Sequence, residues 1–287
     1  MRLGFLISLT IIAGCAATPP AVQQPSQARL SEAFSRASAQ AQAGNYAGAA
    51  TAYEEARRIA RSIEDADDIA AAAINLSIVY QRLGREPQAR EALAEVLDQP
   101  RHAFPERRVM QAELRRAILA LAAADAGAAT EWAARAERRC GSCELAPAIL
   151  NVRAQAALQA RNVDEAGRLA GLASDAARSR NDRAESANAL RTLGRVKIAQ
   201  KDPGAATAAL EQALDLDHGL ADPRKIAADL AELARAHAAA GNTAVARNYF
   251  ERALSVSRAL NDARAVAEIE AQMASAGGPA TPVNNRK

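Results

Sequence analysis

The chain has 287 residues, a formal net charge of +3, 49% hydrophobic residues and only 3% aromatic residues. A charge this small gives no support for a nucleic-acid partner, which usually requires a strongly basic face. The scarcity of aromatic side chains also argues against stacking platforms for single-stranded nucleic acid. The high alanine content instead favours thin helices that pack closely together.

The first element is a targeting segment. One basic residue, Arg2, precedes an almost entirely apolar run from Leu3 to Ala13, which is shorter than the about 20 residues of a spanning helix and has the order of a secretory signal. The stretch Ile12-Ala13-Gly14-Cys15 resembles a bacterial lipobox. That resemblance implies a lipoprotein signal peptide over residues 1–14, cleaved before Cys15, with lipid on the thiol and the new amino group of Cys15. The alternative is an ordinary signal peptide followed by an incidental cysteine.

Residues 15–28 then comprise the cysteine that the resemblance predicts to be lipidated and a Gln/Pro/Ser-rich segment that is typical of a flexible linker. Ala16, rather than Asp, follows the cysteine. For a Gram-negative source, the resemblance to lipoproteins therefore implies anchoring in the outer membrane, facing the periplasm. Attachment through two acylated groups is stable, unlike attachment through a single chain.

Beyond the linker, six positions that we call the turn marks recur with steps of 40, 40, 37, 40 and 40 residues. The turn marks are Gly44, Gly84, Ala124, Arg161, Lys201 and Gly241. Very small residues stand seven positions before and five positions after every mark, and twelve positions after all but one of them. Small residues at fixed offsets around a turn indicate two antiparallel helices with closely approaching backbones, and the fixed period predicts a solenoid.

The periodicity predicts one helix on each side of every turn mark. The first helices of the pairs are predicted near 29–42, 66–83, 104–123, 144–159, 182–200 and 222–240. The second helices are predicted near 46–62, 86–98, 126–139, 163–179, 203–217 and 243–259, and residues 262–275 add a capping helix. Asp182 and Asp262 are predicted N-caps. The tail over residues 276–287 lacks periodicity and is predicted to be disordered.

These repeats resemble the tetratricopeptide repeat family. Two copies carry the resemblance best, namely Gly44-Asn45-Tyr46 with Ala49, Tyr53 and Ala56, and Gly241-Asn242 with Ala246, Phe250 and Ala253. The middle copies depart from glycine at the turn, and the family's early tryptophan is missing. The resemblance implies an all-α solenoid of about six antiparallel helix pairs over residues 29–275. Its period exceeds the usual repeat of about 34 residues.

The sequence contains no Gly-rich phosphate loop, no His-Glu-x-x-His and no Gly-x-Ser-x-Gly, and its three histidines are scattered. It therefore predicts no catalytic residue, no metal site and no cofactor. One cluster remains, Cys140-Gly141-Ser142-Cys143, in the loop where the repeat shortens to 37 residues. In an exported protein this spacing favours a local disulfide between Cys140 and Cys143. A redox-active pair and a zinc site completed by two further ligands are the alternatives.

By similarity to the family, the first helices line a concave face. The residues that stand 13, 10 and 6 positions before each turn mark point towards that face. Its N-terminal half is apolar around Ile74, Ile78, Leu114 and Ile118. The predicted partner-binding groove lies in the C-terminal half and comprises Asn151, Gln155, Asn188, Arg191, Arg195 and Arg235.

Arg191, Arg195 and Arg235 could each donate two parallel hydrogen bonds to a carboxylate, which favours an acidic or C-terminal peptide segment as the ligand. In the alternative, the arginines are solvated or paired with Glu185 and Glu232, and the apolar patch packs beneath a neighbouring helix.

The sequence therefore predicts a lipid-anchored, non-catalytic scaffold or adaptor that offers this groove to other proteins of the bacterial cell envelope. A peptide-binding or ligand-binding receptor solenoid is the main alternative, and a thiol-redox protein that uses Cys140 and Cys143 is another. No nucleic-acid partner is expected.

Overall fold

The computed structural model describes residues 25–98 and 103–276. Within these two ranges the chain forms thirteen α-helices and no strand. The predicted signal peptide, Cys15, most of the linker, His102 and residues 277–287 lie outside the described residues. No helix of the described part is both long and apolar enough to cross a membrane.

The helices pack as consecutive antiparallel pairs. The first helices of the pairs are α1 (Pro25–Gln42), α3 (Ala66–Arg82), α5 (Glu106–Ala122), α7 (Ala146–Gln159), α9 (Arg183–Ala199) and α11 (Pro223–Ala239). Their partners are α2 (Tyr46–Ser62), α4 (Glu86–Leu97), α6 (Ala126–Cys140), α8 (Val163–Ser179), α10 (Pro203–Gly219) and α12 (Thr243–Ala259). A last helix, α13 (Ala263–Ala276), packs on α12 and α11. The predicted all-α solenoid of six pairs with a further C-terminal helix is confirmed.

Every turn mark adopts the left-handed backbone conformation, with φ between +57° and +80°. Such a residue ends an α-helix, because it lets the next amide reach back to an unpaired carbonyl of the last turn. At the first mark, Gly44, the amide of Asn45 donates to the carbonyl of Gln40 at 2.9 Å. The Asn45 side chain then accepts from the amide of Gly48 at 3.1 Å and caps α2. Two residues therefore end one helix and begin the next.

A positive-φ residue followed by a capping side chain also forms most of the connections between successive repeats. Residues with φ between +53° and +55° stand at Glu64, Asn181, Ala221 and Asn261, each directly before an aspartate, whereas Gly141 combines φ +54° with ψ −107° and precedes a serine. Asp182 and Asp262 follow two of them and accept from the amides of Glu185 at 3.0 Å and Ala265 at 3.1 Å, so both predicted N-caps are confirmed. The shortened step lies in the third and fourth repeats, where α6 and α7 have 15 and 14 residues and most helices have 17.

The small residues at fixed offsets lie where helices approach closely. Ala37, Ala117 and Ala234, seven positions before their marks, are completely buried. Gly194 holds the equivalent position in α9, and a Cβ atom added there would lie 2.5 Å from Cγ of Leu210 in α10. Close packing of this pair therefore requires that residue 194 have no side chain.

One predicted boundary is wrong. The linker was expected to reach residue 28, but α1 begins at Pro25. Proline is favoured at the first position of a helix, because its fixed φ suits the helix and its missing amide would have no acceptor there. The other helices begin and end within two residues of the predicted bounds.

The solenoid curls until its first and last repeats touch. Arg224, at the start of α11, donates to the hydroxyl of Tyr46 at 2.7 Å. Arg264, at the start of α13, donates to the carbonyl of Gln81 at 3.0 Å and lies 3.3 Å from the carboxylate of Glu86. We call these three pairs the closure contacts. Because of them, the concave face surrounds a central cavity.

Candidate binding cavity

The central cavity has a volume of about 600 Å³. Side chains from α3, α5, α7, α9, α11 and α13 line it, because helical residues three or four positions apart share one face. Five of the six predicted groove residues lie on its wall, namely Asn151, Gln155, Asn188, Arg191 and Arg195. Arg235 does not line it and instead pairs with Glu232 at 2.7 Å.

A second cavity of about 310 Å³, which we call the α3–α5 pocket, lies between those two helices. Its apolar wall consists of Ala71, Ile74, Leu114 and Ile118, and its polar wall consists of Asn75, Arg108, Gln111 and Arg115. Ile118 lines both cavities, so they adjoin. Ile78 is 40% exposed and lines neither. The N-terminal part of the concave face is therefore not apolar throughout, because Arg108 and Arg115 line it beside Ile74, Leu114 and Ile118.

Arg191 does not present a free guanidinium to the cavity. It pairs with Asp217 and, through Nε, with Asp229 at 2.5 Å, and it donates to Asn188 at 3.0 Å. Asp217 on α10 and Asp229 on α11 are 2% and 0% exposed. The predicted role of Arg191 in gripping a ligand's carboxylate is therefore corrected. It links three helices, and its partners are these two aspartates rather than Glu185.

This triad leaves one carboxylate incompletely neutralised. Burial raises the pKa of Asp229 to about 7, the charge of Arg191 opposes that rise, and Asp217 adds to it. Oδ2 of Asp229 has no hydrogen-bond partner among the described residues. Two carboxylates that share one guanidinium favour a proton on one of them.

Arg195 and Arg235 are both paired with Glu232, at 2.7 Å each. The carboxylate of Glu232 is nearly buried, whereas the Arg195 side chain keeps 32% of its exposure. One carboxylate cannot neutralise two guanidiniums, so a positive charge remains at the cavity wall beside Arg195. The alternative of pairing with Glu232 thus describes these two arginines.

The three amide side chains of the predicted groove differ in whether they already have hydrogen-bond partners within the protein. Asn151 accepts from the hydroxyl of Thr192 at 2.6 Å, and Asn188 accepts from Lys225 at 2.7 Å as well as from Arg191. Gln155 has no hydrogen-bond partner within the described ranges. Its amide is available to a ligand in the central cavity.

The structure adds cavity residues that the offsets from the turn marks do not reach. Arg224 and Lys225 lie in the first turn of α11, and Ile269 and Gln272 lie on α13, outside the repeats. Burial lowers the pKa of Lys225, which has no carboxylate within 4.0 Å in the part of the chain that the structure describes. In the sequence, the basic pair directly after Pro223 was a signal for Arg224 and Lys225 but not for Ile269 and Gln272.

The remaining candidates lie away from both cavities. The sulfurs of Cys140 and Cys143 are 2.03 Å apart, and Arg180 donates to the carbonyl of Ser142 between them at 2.9 Å. His237 stacks on Tyr249 with ring centroids 5.3 Å apart, which is a packing role. Across residues 25–98 and 103–276, no three His, Cys, Asp or Glu side chains are placed to hold a metal ion.

Solved structures share this arrangement of helices. A Rap conjugation gene regulator of the plasmid pLS20, in complex with the Phr* peptide, matches with a TM-score of 0.61 and 13% identity over 92% of this chain and 78% of its own. A Rap protein complexed with competence and sporulation factor matches at 0.60 and 12% identity over 88% and 77%. BtubC (BKLC) from P. vanneervenii matches at 0.51 and 19% identity over 83% and 93%. These matches concern the fold alone.

The repeats themselves match family models. Models described as tetratricopeptide repeat cover residues 29–101 and residues 230–264. No sequence among curated proteins matches the chain. The matched segments cover the first two repeats and the turn of the last repeat, and they include Gly44-Asn45 and Gly241-Asn242, the two turns that carry the resemblance best. Joined by an unbroken series of similar helix pairs between them, they show that this chain is a tetratricopeptide-repeat protein.

Proposed function

We propose that the chain is a non-catalytic scaffold or adaptor that binds a segment of a partner protein in its central cavity. The observation that carries this proposal is a cavity of about 600 Å³ on the concave face, whose wall keeps polar groups that are not fully hydrogen-bonded within the described residues. Its volume is in the range of ordinary ligand sites, about 300–1,000 Å³. Gln155 offers a free amide, Lys225 an ammonium that donates to Asn188 and has no carboxylate within 4.0 Å among the described residues, and Gln272 a buried carbonyl oxygen without a donor.

The chemistry of this wall suits a peptide. A peptide backbone presents donors and acceptors along its whole length, and amide side chains can pair with both. Two of the matched solved structures, the Rap regulator of pLS20 and the Rap protein, contain a bound peptide or factor by their own descriptions. Their likeness supports a concave surface able to hold a peptide, which makes the peptide-binding receptor a second form of the same function.

The proposal is tested by photocrosslinking in cells. A benzoylphenylalanine at position 155 in place of Gln155 should capture a partner at the cavity wall, to be identified by mass spectrometry. The matched control is position 172, where Leu172 is 44% exposed and lines neither cavity. Capture from position 155 alone supports the cavity as the binding site. Equal capture from both positions contradicts it.

We further propose that the protein is anchored by lipid at Cys15 on the periplasmic face of the outer membrane. The lipobox-like stretch Ile12-Ala13-Gly14-Cys15 and the following Ala16 support this location. Metabolic labelling with palmitate should mark the wild-type protein and leave Cys15→Ser unlabelled, and the labelled protein should sediment with outer membranes. Equal labelling of both proteins contradicts lipidation at Cys15.

The Cys140–Cys143 pair is proposed as a local disulfide that fixes the α6–α7 connection. The position of both cysteines outside the cavity walls and the hydrogen bond from Arg180 to the Ser142 carbonyl between them support a structural role. Thiol titration of the purified protein should find both cysteines blocked until a reductant is added. Two free thiols in an air-purified sample would contradict the disulfide.

A further inference from the structure

Arg115, on α5, is a buried cation that has only neutral partners. The residue is 8% exposed. Its Nε donates to the Ser77 hydroxyl at 3.1 Å, and its Nη2 donates to the Ser77 carbonyl at 3.0 Å and to the Gln81 side chain at 2.6 Å. No carboxylate of the described residues lies within 4.0 Å of it. Burial, together with the smaller effect of the charge of nearby Arg82, lowers the pKa of Arg115 to about 10, so the side chain is still charged at neutral pH.

Equivalent positions in other repeats show that this cation is not needed to link the helices. Thr192 and Glu232 also stand nine residues before a turn mark. Thr192 reaches back to Asn151 with a neutral hydrogen bond at 2.6 Å, and Glu232 reaches back to Arg195 with its charge compensated. Arg115 makes the same connection and leaves its charge unbalanced. A buried charge is costly unless it is paired, so this position is prepared for an anion.

The free donor of Arg115 lies at the α3–α5 pocket. Nη1 of Arg115 donates to no acceptor within the described ranges, and this nitrogen is not fully buried. Because Arg115 lines the α3–α5 pocket, Nη1 is accessible to a ligand there. The other pocket arginine, Arg108, differs in this respect, because Asp67 holds its Nε and Nη2 at 2.8 and 2.6 Å. Ile74, Leu114 and Ile118 form the apolar wall beside the free donor.

We infer that the α3–α5 pocket is a carboxylate site, in which Arg115 binds a carboxylate of the partner peptide while apolar side chains of that peptide contact Ile74, Leu114 and Ile118. The inference rests on the proposed function of the concave face. It moves the carboxylate-binding residue from Arg191, whose charge is taken up by two aspartates, to Arg115. A guanidinium that has lost most of its water pairs strongly with a carboxylate. A pocket of about 310 Å³ accepts one or two peptide side chains with the carboxylate.

The test uses three acetylated tetrapeptides as probes. The first is Ala-Leu-Ala-Leu with a free terminal carboxylate, the second is its terminal amide, and the third is the amide of Ala-Leu-Glu-Leu. Affinities and the arginine Nε–H resonances are followed by NMR on the ¹⁵N-labelled soluble protein that begins after Cys15. At least one carboxylate peptide should bind about tenfold more tightly than the neutral amide and shift the Arg115 resonance. The first and third peptides distinguish a terminal carboxylate from one on a side chain.

Two variants locate the effect. Arg115→Gln keeps an amide donor for Ser77 and Gln81 but removes the charge, so its affinities for the three peptides should agree within about twofold. The control removes the already paired cation of the same pocket together with its partner, as Arg108→Gln with Asp67→Asn, and should keep the tenfold preference. If Arg115→Gln does not fold, Arg115→Lys decides. Lysine retains the positive charge but cannot donate two parallel hydrogen bonds to a carboxylate, so Arg115→Lys should weaken the preference for the carboxylate peptides.

The possible failures are distinguishable. Equal affinity of the wild-type protein for all three peptides overturns the carboxylate site and leaves the peptide-binding cavity standing. Absence of any shift at Arg115, while crosslinking at position 155 still captures a partner, likewise overturns the carboxylate site alone. Failure of both experiments overturns the carboxylate site and the proposed function together.

Discussion

Replacing Arg191 with methionine is expected to destabilise the C-terminal repeats strongly. The substitution removes the cation between the carboxylates of Asp217 and Asp229, which are 2% and 0% exposed. Removing one partner of a buried ion pair costs about 3–5 kcal/mol, because it leaves a buried charge without compensation. Methionine fills most of the volume of the arginine stem, so the loss comes from charge rather than from a cavity.

This loss is large enough to measure by thermal unfolding. For a chain of this size, 1 kcal/mol lowers the melting temperature by about 2–4 °C, so the expected decrease is about 6–20 °C. Repeat arrays gain stability largely from contacts between neighbours. Circular dichroism should therefore show that Arg191→Met unfolds at a lower temperature than the wild-type protein. The increase in hydrogen exchange caused by the substitution should be larger in α9, α10 and α11 than in α1 to α4.

Two controls separate the triad from ordinary surface charge. Arg195→Met should cost under about 1 kcal/mol, because the Arg195 side chain is 32% exposed and Glu232 keeps its contact with Arg235. Arg191→Met combined with Asp217→Asn and Asp229→Asn should recover most of the lost stability, since all the buried charges are then removed together. If Arg191→Met and Arg195→Met melted at the same temperature, the reasoning about the triad would be refuted.

Three further predictions concern the pH dependence, the packing and the turns. The folded chain holds a proton on Asp229 up to a pKa of about 7, whereas the unfolded chain releases it near pH 4. The folded state therefore binds more protons between these values, and stability should fall by up to about 1.4 kcal/mol per pH unit as pH rises through this window. Urea unfolding of Asp229→Asn should lack this slope, and an unchanged slope would assign it to another group. Gly194→Ala should cost about 1–3 kcal/mol through overpacking, while Gly171→Ala, where an added Cβ meets nothing within 4 Å, should gain about 0.5–1 kcal/mol; equal effects on the melting temperature would contradict the close approach. Lys201→Gly should stabilise the chain by about 1 kcal/mol because Lys201 has a φ of +61°, and Gly84→Ala should destabilise it by a similar amount; thermal melts that move in the same direction would contradict this account of the turns.

The turns could be predicted from the sequence because they depend on local chemistry. A left-handed residue followed by Asn or Asp both ends one helix and caps the next, and both residues are adjacent in the chain. This pairing recurs at Gly44-Asn45, Arg161-Asn162 and Lys201-Asp202 even where the first residue is not glycine. The fixed spacing of these pairs then determines the helix lengths and the small-residue contacts between partners.

The charge pairs within the cavity could not be predicted in the same way. Arg191 pairs with residues 26 and 38 positions further along, on two other helices. Which of the nearby carboxylates it reaches depends on how far each repeat is rotated and shifted against the next, and offsets counted from the turn marks do not encode that displacement. The same limitation applies to Arg115, because the sequence does not reveal that none of the described carboxylates on the helices around it lies within 4.0 Å of its guanidinium.

The closure contacts give this repeat protein a property that an open array does not have. In an open array the terminal repeats have one neighbour each and unfold first, and a disturbance at one end reaches the other only through every intervening repeat. Here Arg224 touches Tyr46 and Arg264 touches Gln81, across 178 and 183 residues of sequence. The two ends therefore share a direct contact, so a force or a binding event on α13 reaches the second repeat in one step, and loss of either terminal helix weakens both ends at once.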